Sequence, residues 1–255
     1  MHLSRAVPAA LAGALVVVLA GCSTGAADTS DALRTGTVTA PAAGTASEPP
    51  APAPGAGAAK EPVKAPATSS PSAEPADRTT PRTETALLSI PAIGLEDLRV
   101  VPYEGTTDDW PGTRIQNRGV GASPYGESGG VGPGDIGNYL VTAHRLSAGG
   151  PLRDLPSLKI GDSVIVEEDG LVYEYEITGT RQTSFRSDSS LAAQRAPVPG
   201  KPGEKPTQAM ITVSTCATPE DEAAGNFWRD DRHNPEHRID KIGVLKKAPT
   251  PAAGD

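Results

Sequence analysis

From about residue 84 to residue 247, short runs of aliphatic and β-branched residues alternate with segments rich in Pro and Gly. The first runs lie in TALLSIPAIGLEDLRVVPYEGTT. Runs of this length and composition, bounded by such turns, are typical of β-strands. Asp169 and Gly170, between two later runs, form a strong hairpin signal. Five further strands are predicted at 138–143, 162–168, 171–178, 209–215 and 239–245.

Helical patterns are weak in the same region. PLRDLPSL and SSLAAQRA each suit a short helical turn, and no long amphipathic helix is evident. Short strands at regular spacing favour a closed barrel or a sandwich. We therefore predict one all-β domain at residues 84–247, with short helical turns and a closed barrel or sandwich architecture.

The first 22 residues have the features of an export signal. Arg5 precedes an apolar run from Ala6 to Ala20, which is short for a membrane span but suits a secretory signal. The run ends in Leu-Ala-Gly-Cys, which resembles a bacterial lipobox. We predict a lipoprotein signal peptide at 1–22 with Cys22 as the lipidation site; an uncleaved membrane anchor is the alternative. Both place the remaining chain outside the cytoplasmic membrane, anchored to its outer face.

Composition separates the folded domain from its flanks. Residues 23–83 consist mainly of Ala, Pro, Thr, Ser and Gly, so they lack the apolar surface needed to offset the entropy of ordering. We predict a disordered spacer there and a disordered tail at 248–255. The net charge of -8 and the lack of a basic cluster argue against nucleic acid as a partner.

Three residues stand next to predicted strands and carry complementary chemistry. His144 follows one strand, Cys216 follows another, and Arg238 precedes the last. The chain has two cysteines, so lipidation of Cys22 would leave Cys216 as an unpaired and reactive thiol. The thiolate is the reactive form of a cysteine, and a nearby imidazolium stabilises it and can later protonate a leaving amine, while a guanidinium can donate to an oxyanion. The three together suit acyl transfer.

Each residue also has an alternative interpretation. A cysteine on a strand is often a small buried hydrophobe. Arg145, beside the histidine, is another candidate for the functional cation, and Arg229 and Arg232 compete with Arg238 for the arginine role. Arg238 also has acidic neighbours with which it could pair. We favour Arg238 because it is the arginine that opens a strand.

The motifs in their order resemble those of the sortase family. GNYLVTAHRLSAGGPLRDLPSLKIGDSVIVEEDGLVYEYEITG is similar to the sortase strand, histidine and GD-x-V-x-V segment, and ITVSTC to the nucleophile strand. HRIDKIGVL resembles the arginine strand, and LLSIPAIGL the first strand. DWPGTRIQN and the His-Arg dipeptide point to class E.

The resemblance implies a closed sortase-like β-barrel and a cysteine transpeptidase without a cofactor. Cys216 would attack a sorting signal between Thr and Gly, with His144 as general acid and base and Arg238 holding substrate and oxyanion. The signal would be of the Leu-Ala-x-Thr-Gly or Leu-Pro-x-Thr-Gly kind. The implied partners are surface proteins bearing this signal and an amine of peptidoglycan, with the chain expected to be a monomer. One alternative is a non-catalytic surface domain that binds a ligand. Another is a cysteine hydrolase of peptidoglycan, although papain-like hydrolases place the Cys ahead of the His, opposite to the order here.

Several features depart from the family pattern. Ala143 stands where Gly is usual, a Gly-rich insertion precedes the histidine strand, and the segment from Cys216 to Arg238 is long. This segment forms either a lid or specificity loop, or a solvated excursion. Its histidines, His233 and His237, have zinc-like spacing, but Pro235 between them opposes a helix. We predict no metal site, and nothing in the spacing supports a calcium site built from Asp230, Asp231 and Glu220.

Overall fold

Eight β-strands close into a ring in the part of the chain that the computed structural model describes, residues 74–247 and 249–252. The all-β, closed-barrel prediction is confirmed. Cys22 and residues 23–73 of the predicted spacer lie outside the described residues. The strands are β1 (Ala86–Ile90), β2 (Leu95–Glu104), β3 (Gly121–Tyr125), β4 (Gly137–Thr142), β5 (Ser163–Glu168), β6 (Leu171–Ser184), β7 (Ala209–Cys216), β8 (His237–Leu245) and β9 (Thr250–Pro251).

The ring runs in the order β5-β1-β2-β3-β4-β7-β8-β6, and β6 pairs back onto β5 to close it. The pairs β2–β3 and β4–β7 are parallel, and the other pairs in the ring are antiparallel. The hairpin between β5 and β6 turns at Asp169 and Gly170, both with positive φ, as a type I′ turn requires. The site-bearing strands β4, β7 and β8 are therefore neighbours.

The burial pattern explains why these sequences form strands. In β1, Ala86, Leu88 and Ile90 point into the core, while Leu87 is exposed and Ser89 is half-buried, which is the alternation of a half-buried strand. In β7 both faces are buried: Ile211 and Val213 join the apolar core. The opposite face of β7 carries hydroxyl side chains that bond to neighbouring strands. Because β7 is buried on both faces, its last residue, Cys216, is held in a fixed position.

Within the described residues, three short helices and two 3₁₀ turns connect the strands. The helices are α1 (Trp110–Gln116), α2 (Asp188–Arg195) and α3 (Thr218–Ala223), and the 3₁₀ turns are Pro91–Ile93 and Leu155–Ser157. The predicted turns at PLRDLPSL and SSLAAQRA correspond to Leu155–Ser157 and α2. Helix α1 begins where the Asp109 side chain accepts a 2.7 Å hydrogen bond from the Gly112 amide. Among the residues described, no helix is both long enough and apolar enough to cross a membrane.

Two regions differ from the sequence-based expectation. Strand β3 lies inside the Gly-rich segment that we did not predict as a strand, because its buried Gly, Ala, Ser and Pro residues give no large apolar alternation. Part of the tail predicted to be disordered forms β9, where Thr250 and Pro251 pair with Val172 and Leu171. The start of β6, beside the hairpin, offers main-chain N–H and C=O groups to which the tail can pair. Pairing of this kind does not depend on a side-chain pattern, so no sequence pattern indicated it.

The end of the predicted spacer also contacts the barrel. Arg82 donates hydrogen bonds to the Val131 carbonyl at 2.9 Å and to the Ser123 hydroxyl at 2.7 Å, and its guanidinium lies 5.5 Å from the Tyr139 ring centre. The carbonyl of Arg78 accepts a 2.8 Å bond from Gly126. The ordered domain therefore begins before residue 84, since a single arginine can anchor a segment that has almost no apolar residues.

A buried polar network beneath the site joins α2 to the barrel. The Asp240 carboxylate accepts hydrogen bonds from Ser214 at 2.6 Å, Thr183 at 2.6 Å and Gln194 at 2.8 Å. Gln194 in turn accepts a 2.9 Å bond from the Thr107 hydroxyl. A fully satisfied network of this kind rigidifies its surroundings, so it fixes the loop that contains Thr107 against β7 and β8.

Candidate active site

The ends of β4, β7 and β8 bring the three predicted site residues to one edge of the barrel. Thr142 pairs with Ser214 in the parallel β4–β7 ladder, and Cys216 pairs with Arg238 in the antiparallel β7–β8 ladder. His144 lies two residues beyond Thr142, as Cys216 lies two residues beyond Ser214. The strand register therefore places the histidine, the cysteine and the arginine in one row.

A cleft of about 540 Å³ opens above this row, within the size range of ligand-binding sites. His144 and Cys216 both line it. Its walls come from α1, from the segment after β4 and from the segment between β7 and β8. The other lining residues are Trp110, Thr113, Asn117, Arg145, Leu146, Ser147, Thr218, Asp231, Arg232, His233 and Asn234.

The guanidinium of Arg238 contacts the sulfur of Cys216 directly. Arg238 Nη1 lies 2.6 Å from Cys216 Sγ. Its other two nitrogens bind Asp108: Nη2 lies 2.7 Å from Oδ1 and Nε lies 3.2 Å from Oδ2. The side chains of Arg238 and Asp108 are only 2% and 5% exposed. A bidentate pair in a buried setting fixes the guanidinium plane, so Nη1 is held towards the sulfur.

An aromatic ring covers the face of the same guanidinium. The Arg238 Cζ atom lies 4.3 Å from the ring centre of Phe185, the residue that follows β6. This distance is within the range of a cation–π contact, which is strongest where water is excluded. Arg238 is thus held at its edge by a carboxylate and on its face by a ring.

Asp108 occupies a strained backbone conformation. Its φ is 63°, in the left-handed region that residues other than glycine seldom adopt, although Asp and Asn tolerate it best. The surrounding loop maintains this conformation: Thr107 bonds to Gln194, and the Thr106 hydroxyl accepts a 2.6 Å bond from Arg195. Strain of this kind persists where the surrounding structure enforces it, and such positions cluster at functional sites.

His144 is partly buried and hydrogen-bonded to α1. Its Nε2 lies 2.8 Å from Oδ1 of Asn117, the residue that ends the helix. Burial lowers the pKa of His144, and the positive charge of Arg238 lowers it further, while Asp108 opposes the shift. The imidazole is therefore neutral at pH 7 and able to accept a proton.

The thiol of Cys216 is protonated in the resting site. Burial raises the pKa of the Cys216 thiol, and Arg238 opposes this shift through its charge and its hydrogen bond. Since the raised pKa favours the protonated form, the resting cleft holds a thiol and a neutral imidazole, and not the thiolate and imidazolium expected from the sequence. Such a pair needs proton transfer from sulfur to nitrogen during attack, as general base catalysis provides.

The rival arginines are engaged elsewhere. Arg145 forms two 3.1 Å hydrogen bonds to Glu220 and a 3.3 Å bond to the main-chain carbonyl of Cys216. Arg229 pairs with Glu222 at 2.7 Å. Arg232 lines the cleft and lies 5.8 Å from the ring centre of Trp110. Among these candidates, Arg238 is the one whose side chain contacts the sulfur.

The long segment between β7 and β8 is folded and forms one wall of the cleft. After α3, the chain turns around Asp230, whose carboxylate accepts bonds from the Arg232 amide at 2.9 Å and the Asn234 amide at 2.8 Å. The stretch 231–234 faces the cleft. This position suits a specificity loop better than a solvated excursion.

The two histidines of this segment lie in different surroundings. His237 Nδ1 lies 2.6 Å from Asp221 Oδ1, at the start of β8, whereas His233 lines the cleft. Within residues 74–247 and 249–252, no group of three His, Cys, Asp or Glu side chains is placed to hold a metal ion. Glu220 pairs with Arg145, and Asp230 bonds within its own turn, so the acidic residues considered for calcium do not converge.

Sequence reasoning missed Asp108, Asn117 and Phe185. Asp108 directly precedes the DWPGTRIQN segment and Asn117 ends it; within the segment, Asp109 followed by Trp-Pro is a recognisable helix start. That signal predicts a helix at α1, but it does not show that Asn117 at the end of the helix contacts His144. Phe185 carries no local signal, because its partner lies on another strand.

Comparison with known proteins finds similar chains. A family model described as Sortase domain matches residues 88–228, a range that includes His144 and Cys216 and ends before Arg238. Sortase SrtE1 of Streptomyces coelicolor is 30% identical over 139 residues, which cover 53% of this chain and 36% of that protein. The aligned part therefore spans only about a third of the length of this relative.

Solved sortase structures are also similar. Sortase E1 from Streptomyces coelicolor, crystallised with a tripeptide in its active site, has a TM-score of 0.48 and 22% identity, covering 68% of this chain and 93% of that chain. SrtF sortase from Corynebacterium diphtheriae has a TM-score of 0.49 and 19% identity, covering 71% and 94%. The family model spans more than half of the present chain. The chain therefore belongs to the sortase family.

Proposed function

We propose that the chain is a cysteine transpeptidase of the class E type, which cleaves a C-terminal sorting signal between Thr and Gly and transfers the acyl part to an amine of peptidoglycan. The observation that carries this proposal is the 2.6 Å contact between Cys216 Sγ and Arg238 Nη1 beside a cleft that His144 also lines. The similarity to Sortase SrtE1 supports the class.

The acylation step follows from the protonation states of the resting site. The sulfur attacks the Thr carbonyl carbon while the thiol proton passes to the neutral imidazole of His144. Negative charge then develops on the carbonyl oxygen, where Nη1 of Arg238 can donate a hydrogen bond. Collapse of the tetrahedral intermediate breaks the Thr–Gly bond, and His144 returns the proton to the leaving amine. The product is a thioester on Cys216 and a released peptide that begins with Gly.

The transfer step uses the same groups in reverse. An acceptor amine attacks the thioester carbonyl and loses a proton to His144. The carbon–sulfur bond then breaks, and the proton returns to the sulfur. One amide bond is broken and another is formed, so no cofactor or redox step is needed. This balance suits a site composed of a thiol, an imidazole and a guanidinium.

The cleft walls suit an extended peptide with apolar side chains. Trp110 and Leu146 line the cleft and remain 49% and 44% exposed, which leaves apolar surface uncovered above the row of site residues. Burial of such surface by a leucine side chain contributes about 1.5–3 kcal/mol. A signal of the Leu-Ala-x-Thr-Gly kind is favoured over Leu-Pro-x-Thr-Gly by the class assignment.

Trapping the thioacyl intermediate tests the proposal. The full chain is incubated with peptides containing Leu-Ala-x-Thr-Gly, Leu-Pro-x-Thr-Gly or a scrambled sequence, and intact mass is measured. We expect an added mass equal to the peptide up to Thr, with more adduct from the Leu-Ala peptide and none from the scrambled one. A later addition of triglycine or of a peptidoglycan stem peptide is expected to discharge the adduct into a new amide.

Two outcomes of this experiment would favour other functions. Binding of the peptide without any adduct would support the alternative, a non-catalytic surface domain that binds a ligand. Release of free acid at the same rate with and without an added amine would indicate a hydrolase instead of a transpeptidase.

In this proposal the enzyme is a monomer attached by lipid at Cys22 to the outer face of the cell membrane. The lipobox-like Leu19–Cys22 and the Pro-rich spacer support this location, because a semi-extended spacer allows a domain to reach away from its anchor. Mass spectrometry of the mature N-terminus is expected to find residue 22 diacylated and residues 1–21 removed. An unmodified Cys22, or a retained Met1, would rule out lipid anchoring.

A further inference from the structure

The geometry points to Asn117 as a positioning residue that selects the tautomer of His144 and so decides which ring nitrogen takes up the proton. The inference rests on the proposed function for its catalytic meaning. Its structural content, the protonation of one ring nitrogen, can be measured without any peptide substrate.

The contact itself defines the tautomer. The side-chain oxygen Oδ1 of Asn117 lies 2.8 Å from Nε2 of His144. An amide oxygen accepts hydrogen bonds and cannot donate them, so Nε2 must carry the hydrogen. In a neutral imidazole with Nε2–H, the lone pair that accepts a proton lies on Nδ1. Asn117 therefore leaves Nδ1 as the basic nitrogen.

The helix that carries Asn117 is fixed to the strand that carries His144. The backbone N–H of Asn117 donates a 2.9 Å hydrogen bond to the Thr113 carbonyl, which holds the residue at the end of α1. The preceding residue, Gln116, is buried and donates a 3.2 Å bond to the Thr142 hydroxyl. Thr142 ends β4 two residues before His144. The hydrogen bond between Gln116 and Thr142 therefore ties the helix that carries the Asn117 oxygen to the strand that leads to the His144 ring.

A neutral partner suits this position better than a carboxylate does. The charges of the buried Arg238–Asp108 pair act on the ring in opposite directions, and Arg145 follows it in the chain. The loop across the cleft adds further charged or titratable groups, namely Asp231, Arg232 and His233. An amide oxygen orients the ring without adding charge, so the imidazole stays neutral while it waits for the thiol proton. A carboxylate at 2.8 Å would favour the imidazolium instead.

Nitrogen chemical shifts test this inference directly. The full chain, labelled with ¹⁵N-histidine, is measured by NMR as wild type, Asn117→Ala and Arg118→Ala; His144→Gln assigns the signal among the four histidines. Arg118 is the matched control, because it is the next residue along and is exposed. We expect the Nε2–H tautomer for wild type and Arg118→Ala, and a mixture of both tautomers for Asn117→Ala. A wild-type Nδ1–H tautomer, or an unchanged tautomer in Asn117→Ala, would overturn the inference.

The charged variant and the kinetics provide the second readout. Asn117→Asp keeps the acceptor oxygen, so we expect it to retain the Nε2–H form and to raise the pKa of His144 in the NMR titration. Loss of the Nε2–H form in this variant would contradict the assigned donor. If the wild type turns over a sorting-signal peptide, Asn117→Ala should lower kcat for that peptide about tenfold and leave KM nearly unchanged. If the wild type turns over no peptide, the proposed function fails while the NMR result still decides the role of Asn117.

Discussion

Replacement of Cys216 by alanine is expected to abolish the thioacyl adduct and to lower turnover of a sorting-signal peptide by at least about 10³-fold. The Cys216 sulfur contacts Arg238 and lines the same cleft as His144, and the alanine methyl group has no lone pair with which to attack. Intact mass and release of the Gly-containing peptide measure the two effects.

The second cysteine of the chain supplies a matched control. Cys22→Ser replaces the other cysteine of the chain, which precedes the predicted domain at residues 84–247 in the sequence, so it should leave adduct formation unchanged in the same assay. Cys216→Ser keeps a side chain of similar size and should also lose the adduct, because a serine hydroxyl is a much weaker nucleophile than a thiol at neutral pH. Turnover that survives Cys216→Ala would contradict the assignment of the nucleophile.

Replacement of Arg238 by methionine is expected to reduce both activity and stability. Loss of an oxyanion donor costs about 10²–10³-fold in kcat. The same change leaves the Asp108 carboxylate buried without its cation, which lowers the free energy of unfolding by about 3–5 kcal/mol. Peptide kinetics and denaturant-induced unfolding measure the two losses separately.

A double variant separates the two roles of this arginine. Asp108→Asn combined with Arg238→Met removes the unpaired charge and keeps a residue that tolerates the positive φ of 63°. We expect most of the stability to return and the activity to stay low. Arg186→Met is the surface control: its side chain is 58% exposed and pairs with Glu236, so its loss should cost less than about 1 kcal/mol. Full activity in the double variant would refute a catalytic role for Arg238.

The sequence was informative where apolar periodicity and chemistry coincide. Strands β4, β7 and β8 follow from alternating or continuous apolar runs, and the residues at their ends carried the functional hypothesis. The motifs around His144 and Cys216 also placed the chain in its family. Strand β3 was missed because its small residues are buried without forming an apolar pattern.

The residues that support the site were beyond local reasoning. Asp108 lies 130 positions from Arg238 along the chain, and nothing in either segment specifies the other. Phe185 meets the same guanidinium from the end of another strand. These partners are chosen by the register of the closed barrel, and a register is a property of all the strands together. Sequence patterns predicted the strands, whereas the ion pair between Arg238 and Asp108 could be seen only once the strands were assembled into the barrel.

The parallel pairing of β4 with β7 has a consequence for how the protein acquires its activity. The hydrogen bond from Thr215 to the Ala143 carbonyl, which joins the two strand ends, closes a sequence separation of 72 residues. Contacts between such distant segments form slowly, because the entropy of closing the intervening chain must be overcome first. Assembly of the site therefore waits for the long-range pairing of β4 with β7, so a partly folded chain does not yet hold the cysteine and the histidine at one cleft.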